Sequence, residues 1–168
     1  MGRLGINRIV NGLANMRNEH RAPWECVYAK EDRSTCKPGK KPKSDREYFE
    51  ILCLCLLQAG LNWGSIRKHW PTYREGFDEF DLQRLSEAHV EVLLEAPQVI
   101  KNRKKVEAII FNAQVFQRLK QGHGSFAGFL SSLKPLSDED PIRVLKNQFK
   151  HVGTYTAEYY LHSVGYWK

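Results

Sequence analysis

The sequence predicts an all-α fold, on three observations. A helix-capping pattern at Ser44 opens a long apolar run. Apolar residues recur at helical spacing through residues 102–120. No stretch of useful length alternates polar and apolar residues, as a half-buried strand would. Hydrophobic residues make up 42% of the 168 residues, enough to bury one substantial core. The expected organisation is a basic N-terminal arm over residues 1–45 and one helical domain over residues 46–168.

Within the arm, Ile6, Ile9, Val10, Leu13 and Met16 share one stripe, which predicts a short helix over 6–16. The run Cys36-Lys-Pro-Gly-Lys-Lys-Pro-Lys then reads as a basic turn or linker. The first 46 residues hold eleven Lys or Arg against five Asp or Glu, which is six of the seven net positive charges. Such an arm is either a solvated extension or a contact for phosphates.

The domain begins with Ser44 as N-cap and Glu47 three residues on, a capping box. Residues 48–59 are apolar on nearly all sides, so this helix is expected to be central and buried. Gly60 is its natural stop. A second helix is expected over 64–70. Asp81 caps a short one through Leu85, and Ser86 or His89 starts another that ends near Ala96. Asn102 opens the longest helix, through Lys120, with Val106, Ile109, Ile110, Ala113, Phe116 and Leu119 on its core face. Gly122 and Gly124 break it, and residues 125–132 form a short helix. Asp140 and Pro141 make an N-cap and first-residue pair, opening a helix to about Phe149. Thr154 opens the last helix, which ends before Gly165.

A net charge of +7 favours a polyanionic partner, nucleic acid above all. Four cysteines are present, Cys26, Cys36, Cys53 and Cys55, the last two inside an apolar run. A chain with this much core does not need a disulfide framework, so a reducing, cytoplasmic location is expected. No run of about 20 apolar residues exists, so no membrane partner is expected.

Three segments carry the chemistry. Phe149-Lys150-His151-Val152-Gly153-Thr154 places a glycine turn before a helix start. That arrangement either simply joins two helices or presents main-chain N–H groups to a phosphate. A glycine there suits a tight turn and a close approach to the phosphate. Lys101, Arg103 and Lys104 cluster where a helix dipole prefers acids, which fits either a solvated face or a DNA backbone contact. Gln58-Ala-Gly-Leu-Asn62-Trp63 puts an aromatic ring and two amides beyond the central helix. The tryptophan is either a core residue or a surface on which a flipped-out base stacks.

These segments, in this order, resemble the bacterial 3-methyladenine DNA glycosylase I family. The likeness runs through Tyr48-Phe-Glu-Ile-Leu-Cys-Leu, Gln58 to Trp63, Tyr73-Arg, Phe77, Phe80-Asp81, Val99 to Lys105, Ala108-Ile, Asn112-Ala113 and Phe149 to Thr154. It covers about residues 46–168. It implies a helix-hairpin-helix fold and excision of an alkylated adenine from double-stranded DNA; a monomer without a cofactor is expected. It also implies that Trp63 stacks on the base, with Gln58, Asn62 and Cys55 in the base pocket. Gly153 and Thr154, with Lys150 and His151, would then grip the DNA backbone. Tyr155 falls where lyase-type relatives carry a lysine, and a phenol cannot form a Schiff base.

Two departures from the family pattern are visible. Cys55 stands where the family has a glutamate that recognises methylated adenine, and a thiol is a weak acceptor. The family's zinc ligands near both termini have no counterpart pattern at Gly165-Tyr-Trp-Lys168, which leaves Cys26, Cys36 and His20 without partners, so no metal is expected. A DNA-binding protein of the same fold with altered or lost catalysis is therefore the alternative, and a polyanion held by the arm alone is a third.

Overall fold

The computed structural model describes residues 39–134, 137 and 139–166, with Trp63 and Glu139 described by their main chain alone. The arm's helix at 6–16, Cys26, Cys36 and His20 lie outside the described residues. Those residues form eight α-helices and one 3-10 turn, with no strand among them. This is the all-α fold expected from the sequence.

Helix α1 (Asp45–Gln58) is the centre of the molecule. Ser44 caps it, its Oγ accepting from the Glu47 N–H at 3.2 Å. The Glu47 carboxylate reaches back to the N–H of Lys43 rather than that of Ser44, so the capping box closes one residue early. Tyr48, Phe49 and every residue from Leu52 to Leu57 are buried. This is the all-round burial that its composition requires.

Helix α2 (Trp63–Gly76) is longer than the expected 64–70, because it continues through Pro71. A proline inside a helix forfeits one main-chain hydrogen bond. Aromatic packing on both sides of it holds the helix together. Trp70 stacks on Phe80 at 4.9 Å between centroids, and Phe77 on Phe80 at 5.7 Å. The 3-10 turn Asp78–Phe80 follows, with all three residues in the left-handed region (φ 50 to 56°). Non-glycine residues there cost about 1–2 kcal/mol each. The complete burial of Phe77 and Phe80 is what fixes this turn.

Helices α3 (Leu82–Ser86) and α4 (Val90–Glu95) pack on α5 (Arg103–His123). At 1.5 Å per residue α5 is about 31 Å long, and it also supports α1 and α6 (Phe126–Ser132). Helix α7 (Glu139–Gln148) starts before the expected Asp140 cap. The Asp140 carboxylate instead turns back to the N–H and hydroxyl of Ser137, at 3.2 and 2.8 Å. Pro141 thereby becomes the third helical residue, still in the turn whose N–H groups have no helical partner. Helix α8 (Thr154–Ser163) packs against α7 and α1. Residues 39–41 join this body, since Gly39 N–H donates to the His162 carbonyl at 2.9 Å. Gly165, at φ +68°, lies so close to the Gly39 carbonyl that no side chain fits.

Candidate functional site

The first half of the site is the loop that ends α1. Gln58 closes it twice: its carbonyl accepts from Leu61 N–H at 2.7 Å, and its side-chain amide donates to the Leu61 carbonyl at 2.9 Å. Gly60 supplies the left-handed turn, at φ +80°. Asn62 caps α2, its Oδ1 accepting from Ser65 N–H at 2.7 Å. Trp63 is thereby placed as the first residue of α2. Gln58 and Asn62 thus both build the loop with their own side-chain amides, and the loop carries the exposed Leu61 at its tip.

Cys55 sits one turn before Gln58 and is buried. Burial pushes its thiol far above the ordinary thiol range, against a smaller opposing pull from Ser163 of α8, so it is a neutral thiol at any physiological pH. The structure therefore sets Gln58, Asn62 and the start of α2 together in the exposed loop, and Cys55 in the core between α1 and α8.

The second half is the hairpin between α7 and α8. Phe149 and Val152 are buried and anchor it. Phe149 packs on Phe116 at 5.5 Å. Between them Lys150 and His151 are exposed. The left-handed residue of the turn is His151, at φ 60°, whereas Gly153 is extended, at φ −87° and ψ −177°. The turn itself therefore does not require glycine at 153, contrary to the expectation from sequence. What Gly153 provides is space, since a Cβ there would meet nothing within 4 Å. It leaves the N-terminus of α8 open in front of Thr154, whose Oγ accepts from Lys146 Nζ at 2.8 Å.

The basic cluster at the start of α5 divides three ways. Lys101 Nζ donates to the carbonyls of Leu94 and Ala96 at 2.6 and 2.5 Å, capping the C-terminus of α4. Arg103 pairs with Glu91 at 2.8 Å and lies 3.7 Å from Glu107. Lys104 is exposed and forms no ion pair among the described residues. The charge clustering that suggested a DNA contact is thus partly neutralised by neighbours, and Lys104 is the free cation of the three.

Two residues of the site are not evident from sequence. Lys105 is buried, and its Nζ donates to the carbonyls of Leu57, in the last turn of α1, and Ala59, its C-cap, at 2.7 and 2.6 Å. Asn112 is fully buried and bonds both main-chain groups of Lys150. Their signal is a polar residue on the apolar stripe of α5, where each must find a partner. His151 lies near this helix as well. Partial desolvation against this helix, then the ammonium groups of Lys105 and Lys104, hold its imidazole below the ordinary histidine range. Among the described residues no group of three His, Cys, Asp or Glu side chains is placed to hold a metal ion.

Comparison with known proteins agrees with this architecture. The methyladenine glycosylase family profile matches residues 36–160. The chain is similar to the DNA-3-methyladenine glycosylase of Haemophilus influenzae, 28% identical over 130 residues, covering 72% of this chain and 69% of that protein. It is similar to DNA-3-methyladenine glycosylase 1 of Escherichia coli, 35% identical over 95 residues, covering 54% of this chain and about half (51%) of that protein. Among solved structures, it resembles a tyrosine-to-phenylalanine variant of 3-methyladenine DNA glycosylase I in complex with 3-methyladenine. That match has a TM-score of 0.69 at 25% identity, covering 85% of this chain and 91% of the other. With three quarters of its length matched by the profile and the same helical body, this chain belongs to the methyladenine glycosylase family.

Proposed function

We propose that this chain is a DNA glycosylase that flips an alkylated or otherwise damaged base out of double-stranded DNA and hydrolyses its N-glycosidic bond. The observation that carries the proposal is the pairing of the Gln58–Trp63 loop with the open hairpin at Gly153 and Thr154, on the scaffold of this family. The hairpin N–H groups at the start of α8, with Lys150, His151 and Lys104, are suited to hold the phosphate backbone. Leu61 at the loop tip is suited to fill the stack that the base leaves. On the family pattern Trp63 supplies the ring on which the extruded base lies, with Gln58 and Asn62 in the same loop.

The chemistry asks little of the protein. Alkylation at N3 leaves adenine cationic, so the base departs with the bonding electron pair once it is extracted and held. A water oxygen then bonds the anomeric carbon and releases a proton. Tyr155, exposed beside the hairpin, has no amine for a Schiff base, so strand cleavage by that route is not part of the activity. The protein works as a monomer in the cytoplasm on this reading, which fits its two buried free thiols, Cys53 and Cys55.

One observation favours a shifted specificity. By its likeness to the family pattern Cys55 occupies the position of the recognition glutamate, yet it is a buried neutral thiol. Close to the same helix end stands the ammonium of Lys105. A neutral thiol and a nearby cation give a positively charged base no carboxylate partner, so 3-methyladenine is less sharply distinguished from neutral bases here than with a glutamate at this position. The test is release of free base from purified duplexes carrying 3-methyladenine, hypoxanthine or ethenoadenine. Release from at least one is expected. No release from any of them, with duplex binding intact, would leave the non-catalytic DNA-binding alternative.

A further inference from the structure

The core face of α5 carries two buried polar side chains, Lys105 and Asn112. They are seven residues apart, so they share one face about 10.5 Å apart along the axis. Each reaches a different half of the site. Lys105 grips the carbonyls of Leu57 and Ala59, immediately before the Gly60–Trp63 loop. Asn112 makes a two-point clamp on the hairpin: its Nδ2 donates to the Lys150 carbonyl at 3.0 Å, and its Oδ1 accepts from the Lys150 N–H at 2.8 Å. The preceding residue adds a third hold, since the Phe111 ring lies 4.2 Å from the Lys150 ammonium.

An apolar pair at 105 and 112 would satisfy packing without desolvating an ammonium and an amide, which costs free energy unless each finds partners. Here every partner is main chain. Three of the four are carbonyls, and all belong to the two segments that the activity must hold in register. Helix α5 is continuous and capped between them, by Asn102 at one end and Gly124 at the other. It is therefore a rigid spacer between loop and hairpin.

We propose that Lys105 and Asn112 are positioning residues that fix the spacing between the Gln58–Trp63 loop and the Lys150–Thr154 hairpin, so that a strand gripped at the hairpin delivers its base to the loop. The proposal rests on the glycosylase function for its purpose, but its geometry does not. Contacts made on main chain rather than on side chains set position without contributing to base chemistry. The same arrangement explains why the clamp sits on Lys150, next to the left-handed His151, where the hairpin would otherwise be free to shift its register.

Two readouts test it. In a chain with Cys26→Ser and Cys36→Ser, spin labels at Leu61→Cys and His151→Cys report the loop-to-hairpin distance by pulsed electron resonance. A narrow distribution is expected for this background, broadened by either Lys105→Met or Asn112→Leu and narrowed again by Lys105→Arg, which keeps two donors. Unlabelled Lys105→Met and Asn112→Leu proteins are then compared on the duplexes above under saturating enzyme. Base release slows about tenfold or more in each, and the double variant is no slower than the slower single, because breaking either contact frees the spacing. Distances that stay narrow in both variants overturn the proposal, as does release that is unchanged or that slows multiplicatively in the double variant. If the parent protein releases no base, the glycosylase function fails, and the distance measurement still decides the positioning role. Should Asn112→Leu not fold, Asn112→Asp keeps the acceptor for Lys150 N–H and loses the donor, and an intermediate broadening is expected.

Discussion

Gln58 and Leu61 are joined by two hydrogen bonds, one through the main chain at 2.7 Å and one from the Gln58 side chain at 2.9 Å. The residue that ends the central helix thus also closes the loop that follows it. Gln58→Ala removes the second bond, and its expected cost is about 1 kcal/mol of stability, read by thermal or urea unfolding. Base release should fall more than that figure implies, while affinity for undamaged duplex stays unchanged. Equal loss of both would place Gln58 on the phosphate side instead.

The hairpin separates two roles that sequence places on one glycine. Gly153→Ala meets open space in an extended backbone, so unfolding stability should stay within about 0.5 kcal/mol of the parent. Duplex affinity should nevertheless drop, because the added methyl stands where a phosphate approaches α8. His151→Gly should act in the opposite sense on the fold, stabilising it by about 1 kcal/mol through relief of the left-handed residue.

Lys104, Arg103 and Lys101 should differ in their salt dependence. Lys104→Ala is expected to lower the slope of log affinity against log salt by about one unit, as loss of one phosphate contact does. Lys101→Ala loses bonds to the Leu94 and Ala96 carbonyls, and Arg103→Ala loses its pairing with Glu91. Both should leave the slope nearly unchanged. Titration of duplex binding from low to moderate salt distinguishes the three.

Much of this fold was legible because its signals are local. Ser44 caps α1 and Asp81 caps α3, each with the expected hydrogen bond, and the helices expected over 102–120 and 125–132 are present, their first residues Asn102 and Ser125 serving as the caps of α5 and α6. Where the structure differs, long-range packing overrides a local rule. Pro71 sits inside α2 because Trp70, Phe77 and Phe80 hold the helix on either side. The turn at 78–80 is left-handed without glycine for the same reason. For the candidate site, an aromatic with two amides, a glycine turn and the family resemblance single out the loop and the hairpin but not their connection. Lys101 looked like Lys104 in sequence, and only the positions of the α4 carbonyls separate them. Lys105 and Asn112 were hidden because their partners are main-chain groups 46 to 48 and 38 residues away.

His151 makes the fold sensitive to acid. Partial desolvation and the neighbouring lysines hold its imidazole below 6.5, so the folded state binds fewer protons than the unfolded chain as pH falls through that value. This group therefore takes stability away as pH drops from 6.5 towards its folded value, and has no effect above. His151→Gln should flatten the melting temperature over that window. In the DNA complex a phosphate should favour the protonated ring, so duplex affinity of the parent should rise on acidification and that of His151→Gln should not.

The most direct test of the glycosylase function is single-turnover base release by the parent and by Trp63→Ala, beside the affinity of each for undamaged duplex across salt concentrations. The parent should release at least one lesion of the panel. Trp63→Ala should lose that release while keeping duplex affinity and its salt slope. Equal release by the two proteins would contradict the assignment of the loop as the base site, and no release by the parent would contradict the enzymatic function itself.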